Sequence, residues 1–177
     1  LSLAKDDRNI LAVTSDSRGS GKLGPFGQAL PEQIVELGIA EQNLVGVSAG
    51  LASAGKIVFA VSPACFLTAR SLEQVKNDIC YSDMSVKLIG ISAGVSYGAL
   101  GTTHHSLHDI AALRAINNLD IVVPADSCET QQAIALAVSR FMDFCPLTLT
   151  LSPCEVAWGE GMRMTPPASS SWLPPAA

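Results

Sequence analysis

Short, almost unbroken apolar runs alternate along the chain with longer stretches in which apolar residues recur every three or four positions. The runs fall at residues 9–13, 34–39, 57–61, 86–91, 120–123 and 147–151. The run at 86–91 is apolar apart from Lys87, as expected of a strand covered on both faces. Between the runs, Ala40, Leu44, Val47, Gly50 and Leu51 share helical spacing up to a stop at Gly55. Leu67, Ser71, Leu72, Val75 and Ile79 do the same, opposite Glu73, Lys76, Asn77 and Asp78, so 66–81 predicts one helix. Residues 109–116 predict a short amphipathic helix, and 127–140 a longer one with Ser127 as N-cap and Glu129 in its first turn. Strand alternating with helix in this way predicts an α/β fold: a parallel sheet with helices on both faces. Residues 1–151 read as one domain. Residues 152–177 hold five of the ten prolines and the run Ser169-Ser170-Ser171, and read as a disordered tail. Residues 1–8 read as the end of a helix, in a chain cut from something longer.

Two connections stand out. Residues 17–31 are rich in glycine, and Gly19, Gly21 and Gly24 meet the G-x-G-x-x-G spacing of a dinucleotide-binding turn directly after a strand. That turn requires a helix to open at once and present its amides to a pyrophosphate. Pro25 and Gly27 argue that none opens here. The connection at 92–107 is long for an α/β fold, and long connections in compact domains tend to be functional. His104 and His105 lie in it and His108 just beyond, beside Asp109. These histidines can be read as helix-capping or solvated, as substrate-facing, or as metal ligands, although no third ligand with clear spacing accompanies them.

Composition narrows the function classes. A net charge of −5 gives no basic field for nucleic acid or an anionic membrane, and 5% aromatic content leaves little to stack on single strands. No apolar run approaches the roughly 20 residues that span a bilayer. The cysteines at 65, 80, 128, 145 and 154 form no C-x-x-C pair and read as reduced core thiols of a cytoplasmic protein.

The candidate chemistry centres on Glu41, placed where the run at 34–39 meets the helix that follows. A first-turn acid often does no more than complement the helix dipole. In an open α/β sheet, however, this junction lies outside the carboxyl end of a strand, where ligands bind.

Four blocks carry a family resemblance: Gly38-Ile39-Ala40-Glu41-Gln42-Asn43, residues 66–74, Gly101-Thr102-Thr103-His104-His105, and Val123-Pro124-Ala125-Asp126. In this order and at these gaps, they resemble the pyrimidine-binding domain of the transketolase family, most closely the separate C-terminal subunit of split transketolases. The resemblance implies thiamine diphosphate as cofactor. It implies that Glu41 hydrogen-bonds the pyrimidine N1′ and helps activate the cofactor, a role that suits a desolvated carboxyl. It implies that Phe66 packs on the pyrimidine, that His104 faces substrate oxygens, and that Asp16 and Arg70 border the cofactor. The implied reaction is transfer of a two-carbon ketol unit between sugars. A 2-oxo acid decarboxylase or dehydrogenase β-type subunit, and an inactive remnant, are the alternatives.

The chain also departs from the family pattern. Leu100 stands where many transketolases carry an acid that contacts a substrate hydroxyl. No Gly-Asp-Gly motif with a distal Asn is present to hold Mg²⁺ and the diphosphate. The resemblance therefore implies a partner chain, a transketolase-like N-terminal subunit, that brings the Mg²⁺ and diphosphate half of the site. The stretch after residue 146 departs from the family as well, as if truncated or frame-shifted.

Overall fold

In the computed structural model, residues 1–139 and the backbone of 147–151 are described. The apolar runs become β1 (Ile10–Thr14), β2 (Ile34–Glu36), β3 (Ile57–Pro63), β4 (Val86–Ile91), β5 (Asp120–Val122) and β6 (Leu147–Leu151). They form one sheet in the order β2-β1-β3-β4-β6-β5, with every neighbouring pair parallel. The α/β fold class read from the sequence is the fold observed.

The period-2 alternation of strands divides the core into two layers. Ala12, Phe59, Val61 and Ile89 face one side, under α1 (Ser2–Asp6), α2 (Gly24–Ala29) and α7 (Ser127–Ser139). Val13, Val58, Ala60 and Leu88 face the other, against α3 (Glu41–Ser53), α4 (Ala64–Ala69) and α6 (Asp109–Leu113). Among the described residues, no helix is long and apolar enough to cross a membrane.

Several local expectations are corrected. A helix does open after the glycines: α2 begins at Gly24 with Pro25 in its first turn, where a missing N–H costs nothing. Its Phe26 is buried in the core, and the anchoring of that ring explains the turn. The buried face of α3 is Glu41, Leu44, Val45, Ser48 and Ala49; of the predicted stripe, Leu44 is buried and Leu51 packs on the core, but Val47 is only partly buried and Gly50 is exposed. Small residues all around this helix leave its pattern weak. Asp126, not Ser127, caps α7: the Glu129 amide donates to Asp126 Oδ1 at 2.8 Å, and the Ala125 amide donates to Glu129 Oε2 at 2.7 Å.

The single helix expected at 66–81 is three pieces: α4, then α5 (Leu72–Gln74), then a wide π-helical segment at Val75–Tyr81. Leu67, Ser71, Val75 and Ile79, all buried, repeat every four residues. At 3.6 residues per turn such a stripe drifts by about 40° at each step. A break followed by wider turns keeps the stripe on the sheet. The predicted tail at 152–177 and the stretch 140–146 lie outside the described residues.

Lys87 is buried on β4 at 1% exposure, and its ammonium donates to the Ser85 hydroxyl at 2.7 Å and the Ser85 carbonyl at 3.3 Å. Burial pushes its pKa down from 10.5 to about 8. Between those values the unfolded chain binds the extra proton, so stability rises with pH across that window, by roughly 1–3 kcal/mol. Urea unfolding at pH 7.5 and 9.5 should show this gain in the wild type and not in Lys87→Met. A gap between the two proteins that stays constant with pH would refute it.

Candidate active site

The loop after β2 delivers Glu41 to the carboxyl edge of the sheet. Gly38 adopts φ +70°, a left-handed conformation that glycine accepts at little cost, and the Ala40 amide closes the turn on the Gly38 carbonyl at 2.8 Å. α3 then opens without a side-chain cap, so the first-turn acid meets the positive end of the helix. Leu44 and Val45, both fully buried, pull this turn against the sheet and take Glu41 down to 1% exposure.

Arg70 ends α4, where the chain breaks before Ser71. Its Nη1 donates to Glu41 Oε2 at 2.6 Å, although 45% of the Arg70 side chain remains exposed. Phe66 lies one helical turn earlier, and the Arg70 guanidinium carbon sits 4.5 Å from its ring centroid. The His104 ring meets Phe66 edge-on, with centroids 5.2 Å apart. Tyr97 approaches the same imidazole from its own loop at 5.4 Å, again at a steep angle. Glu41, Arg70, Phe66, His104 and Tyr97 thus form a continuous chain of contacts.

The histidine loop is tied into shape by its own backbone. Gly94 and Ser106 pair as an antiparallel bridge, and the Ser106 hydroxyl donates to buried Asp109 Oδ2 at 3.0 Å. His105 Nε2 is 3.2 Å from the Gly98 carbonyl, so this ring braces the loop. His108 flanks the start of α6, and its carbonyl accepts from the Ala112 amide. Thr103 Oγ1 lies 3.0 Å from His104 Nδ1, which engages that nitrogen and turns Nε2 outward from the pair. No group of three metal-ligating side chains occurs among the described residues.

Cys65, in the same turn as Phe66, is buried, and that burial pushes its thiol pKa up, away from nucleophilic use. Asp16 is exposed at the end of β1, at φ +52°. Among the described residues no hydrogen bond or ion pair joins it to the Glu41 chain; its amide donates to Glu36 Oε1 at 2.6 Å. The sequence reading did not single out Tyr97 or Glu36. An aromatic inside the long histidine loop, and an acid at a strand end two positions before a glycine, were the available signals.

A sequence model of the family described as "Transketolase, pyrimidine binding domain" matches residues 1–153. The chain belongs to this family. One of the subunits of apulose-4-phosphate transketolase from Phocaeicola vulgatus is 58% identical over 138 residues, covering 78% of this chain and 44% of that protein. A putative transketolase C-terminal section from Methanocaldococcus jannaschii is 37% identical over 134 residues, 76% of this chain and 42% of that protein. Among solved structures, one described as a split gene transketolase, inactive beta4 tetramer, superposes with a TM-score of 0.73 at 33% identity, over 93% of this chain and 52% of that one. The chain therefore spans about half, or less, of these transketolase relatives.

Proposed function

We propose that this chain carries the pyrimidine half of a thiamine diphosphate site in a split transketolase. A second, transketolase-like N-terminal chain would supply the half that holds the diphosphate and Mg²⁺. The observation that carries this reading is the cradle formed by Glu41 and Phe66. It already holds a flat nitrogen donor, the Arg70 guanidinium, stacked on the Phe66 ring and bonded to the Glu41 carboxylate. An aminopyrimidine is likewise flat and could stack on Phe66, and its ring N1′ would meet the Glu41 oxygen that Arg70 now engages, with the carboxyl's proton between them, so the residues fit the group. The half-exposed Arg70 side chain can give up or share this position without disturbing the core.

When bound, thiamine diphosphate supplies the electron sink for carbon–carbon bond cleavage and formation. Glu41 would hold, on a carboxyl oxygen, a proton shared with pyrimidine N1′, and its burial would keep water from competing for that proton. Phe66 would pack on the ring and Arg70 would border it. His104, braced by Thr103, Phe66 and Tyr97, presents an imidazole that can donate to charge developing on a substrate oxygen. Asp16, on the neighbouring strand end, lines the same edge of the sheet from the loop after β1.

The substrates are a ketose and an aldose exchanging a two-carbon ketol unit. The relative at 58% identity carries apulose 4-phosphate in its name, which makes that sugar phosphate the first donor to assay. Leu100, exposed in the histidine loop and unable to hydrogen-bond a hydroxyl, suits a sugar other than the commonest donors. A cytoplasmic setting suits such chemistry and the free thiols Cys65 and Cys128.

The need for a partner draws support from the related split-gene chain, which as a tetramer of its own kind is described as inactive. The test is to purify the tagged chain from its own cells, assay released thiamine diphosphate by its fluorescent oxidation product, and measure ketol transfer. A co-purifying chain with cofactor and transfer activity is expected. A chain that comes down alone, and stays empty with Mg²⁺ and cofactor added, would overturn the reading in favour of an inactive remnant.

A further inference from the structure

Resting on the reading of Glu41 as the cofactor-facing acid, we propose that Glu36 is a positioning residue that sets the backbone from which Glu41 reaches the site. Glu36 ends β2, and one of its carboxylate oxygens joins two loops. Oε1 accepts from the Asp16 amide at 2.6 Å and from the Gly38 amide at 3.1 Å. Both donors sit at left-handed backbone positions, Asp16 at φ +52° and Gly38 at φ +70°. Asp16 takes that conformation against the preference of a residue with a side chain, so an external acceptor has to hold it there. A carboxylate receiving backbone N–H groups makes the stronger, charge-assisted kind of bond, which suits this task.

The clamp also lies close to the chemistry. Gly38 is three residues before Glu41, and its carbonyl closes the turn on Ala40, the residue from which α3 starts. The direction in which Glu41 enters the core is therefore fixed by the geometry at Gly38. The same oxygen ties that turn to the end of β1, the strand to which β2 pairs. The other oxygen, Oε2, faces Arg18 Nε at 3.4 Å, a half-exposed ion pair of the kind that contributes little. The amide clamp and the ion pair can be separated because they use different oxygens and different partners.

The experiment compares Glu36→Ala, Glu36→Gln and Arg18→Ala in the assembled two-chain enzyme, with Glu41→Gln as a parallel control. Misplacing a catalytic group by about an ångström costs up to about 100-fold, so Glu36→Ala should lower kcat by about tenfold or more and raise the cofactor concentration for half-saturation. Glu36→Gln should recover kcat to within about threefold, because its amide oxygen can accept both N–H groups. Arg18→Ala should leave kcat near the wild-type value. Amide exchange at Asp16 and Gly38 should quicken in Glu36→Ala and stay slow in Glu36→Gln.

A Glu36→Gln variant as impaired as Glu36→Ala, or an Arg18→Ala loss of similar size, would overturn the clamp in favour of the ion pair. If Glu36→Ala does not fold, the near-isosteric glutamine and the arginine variant decide the matter on the same terms. Should Glu41→Gln itself keep full activity, the reading of the site fails, whatever Glu36 does. A silent Glu41→Gln control and a silent Glu36 series are thus different failures.

Discussion

Glu41→Gln in the proposed two-chain enzyme should lower kcat by about 100-fold or more while leaving the fold intact, since positioned proton transfer is worth about 10²–10⁴-fold. Glutamine keeps the shape and can still hydrogen-bond, but it cannot hold and release a proton. Glu41 is almost completely buried on the first turn of α3, so solvent cannot take over that task. The stability cost should stay small, although an ion pair is broken. Arg70 is 45% exposed and can turn to water, so no charge is left stranded in the core. Steady-state kinetics and a thermal melt on the same preparation check both halves. A kcat within about threefold of wild type would remove Glu41 from the proton path.

The second large effect is on stability. Leu44→Ala should cost roughly 2–5 kcal/mol, the range for deleting a fully buried leucine when the surroundings relax only in part. Leu44 is 0% exposed and packs in the layer that holds Val13, Val58, Leu67, Val75 and Ile79. For a domain of this size the loss corresponds to a fall in melting temperature on the order of 10 °C. Asn43→Ala, on the exposed side of the same helix, should change it by little more than a degree. Because Leu44 lies one turn beyond Glu41, the leucine variant should also loosen the acid's seat. A loss under about 0.5 kcal/mol would mean that the helix is not anchored there.

The strands were legible because most are buried on both faces, so that sequence alone marks them as apolar runs; β4 matches its predicted bounds. Helix faces were less legible where the residues are small. In α3, Gly46, Ser48, Ala49 and Gly50 differ too little in size for the stripe to declare itself. The break at Arg70 and the wide turns after it were hidden because Leu67, Ser71, Val75 and Ile79 satisfy a helical pattern either way.

In the candidate site, residues from three of the four family blocks came together: Glu41 meets Arg70 and Phe66 meets His104 across long stretches of sequence, while Phe66 and Arg70 are one helical turn apart. Tyr97 and Glu36 offer only weak local signals, an aromatic within the histidine loop and an acid before a glycine turn, since their importance depends on which residues the fold brings against them. Asp16 shows the converse. It lies at the carboxyl end of the sheet, but its amide bonds to Glu36 and not to the Glu41 chain.

The strand order also governs how the chain is made. β6 inserts between β4 and β5 although it is the last of these strands in sequence. As the chain leaves the ribosome, β5 therefore emerges before its neighbour in the sheet exists, and the outer edge of β4 waits, unpaired, for the same segment. Until β6 has emerged and paired, the nascent protein presents open hydrogen-bonding edges on β4 and β5 of the sort that recruit other chains. β6 thus closes the gap between β4 and β5, and chains stalled before it emerges from the ribosome carry more open strand edge than the completed sheet, whose edges are β2 and β5.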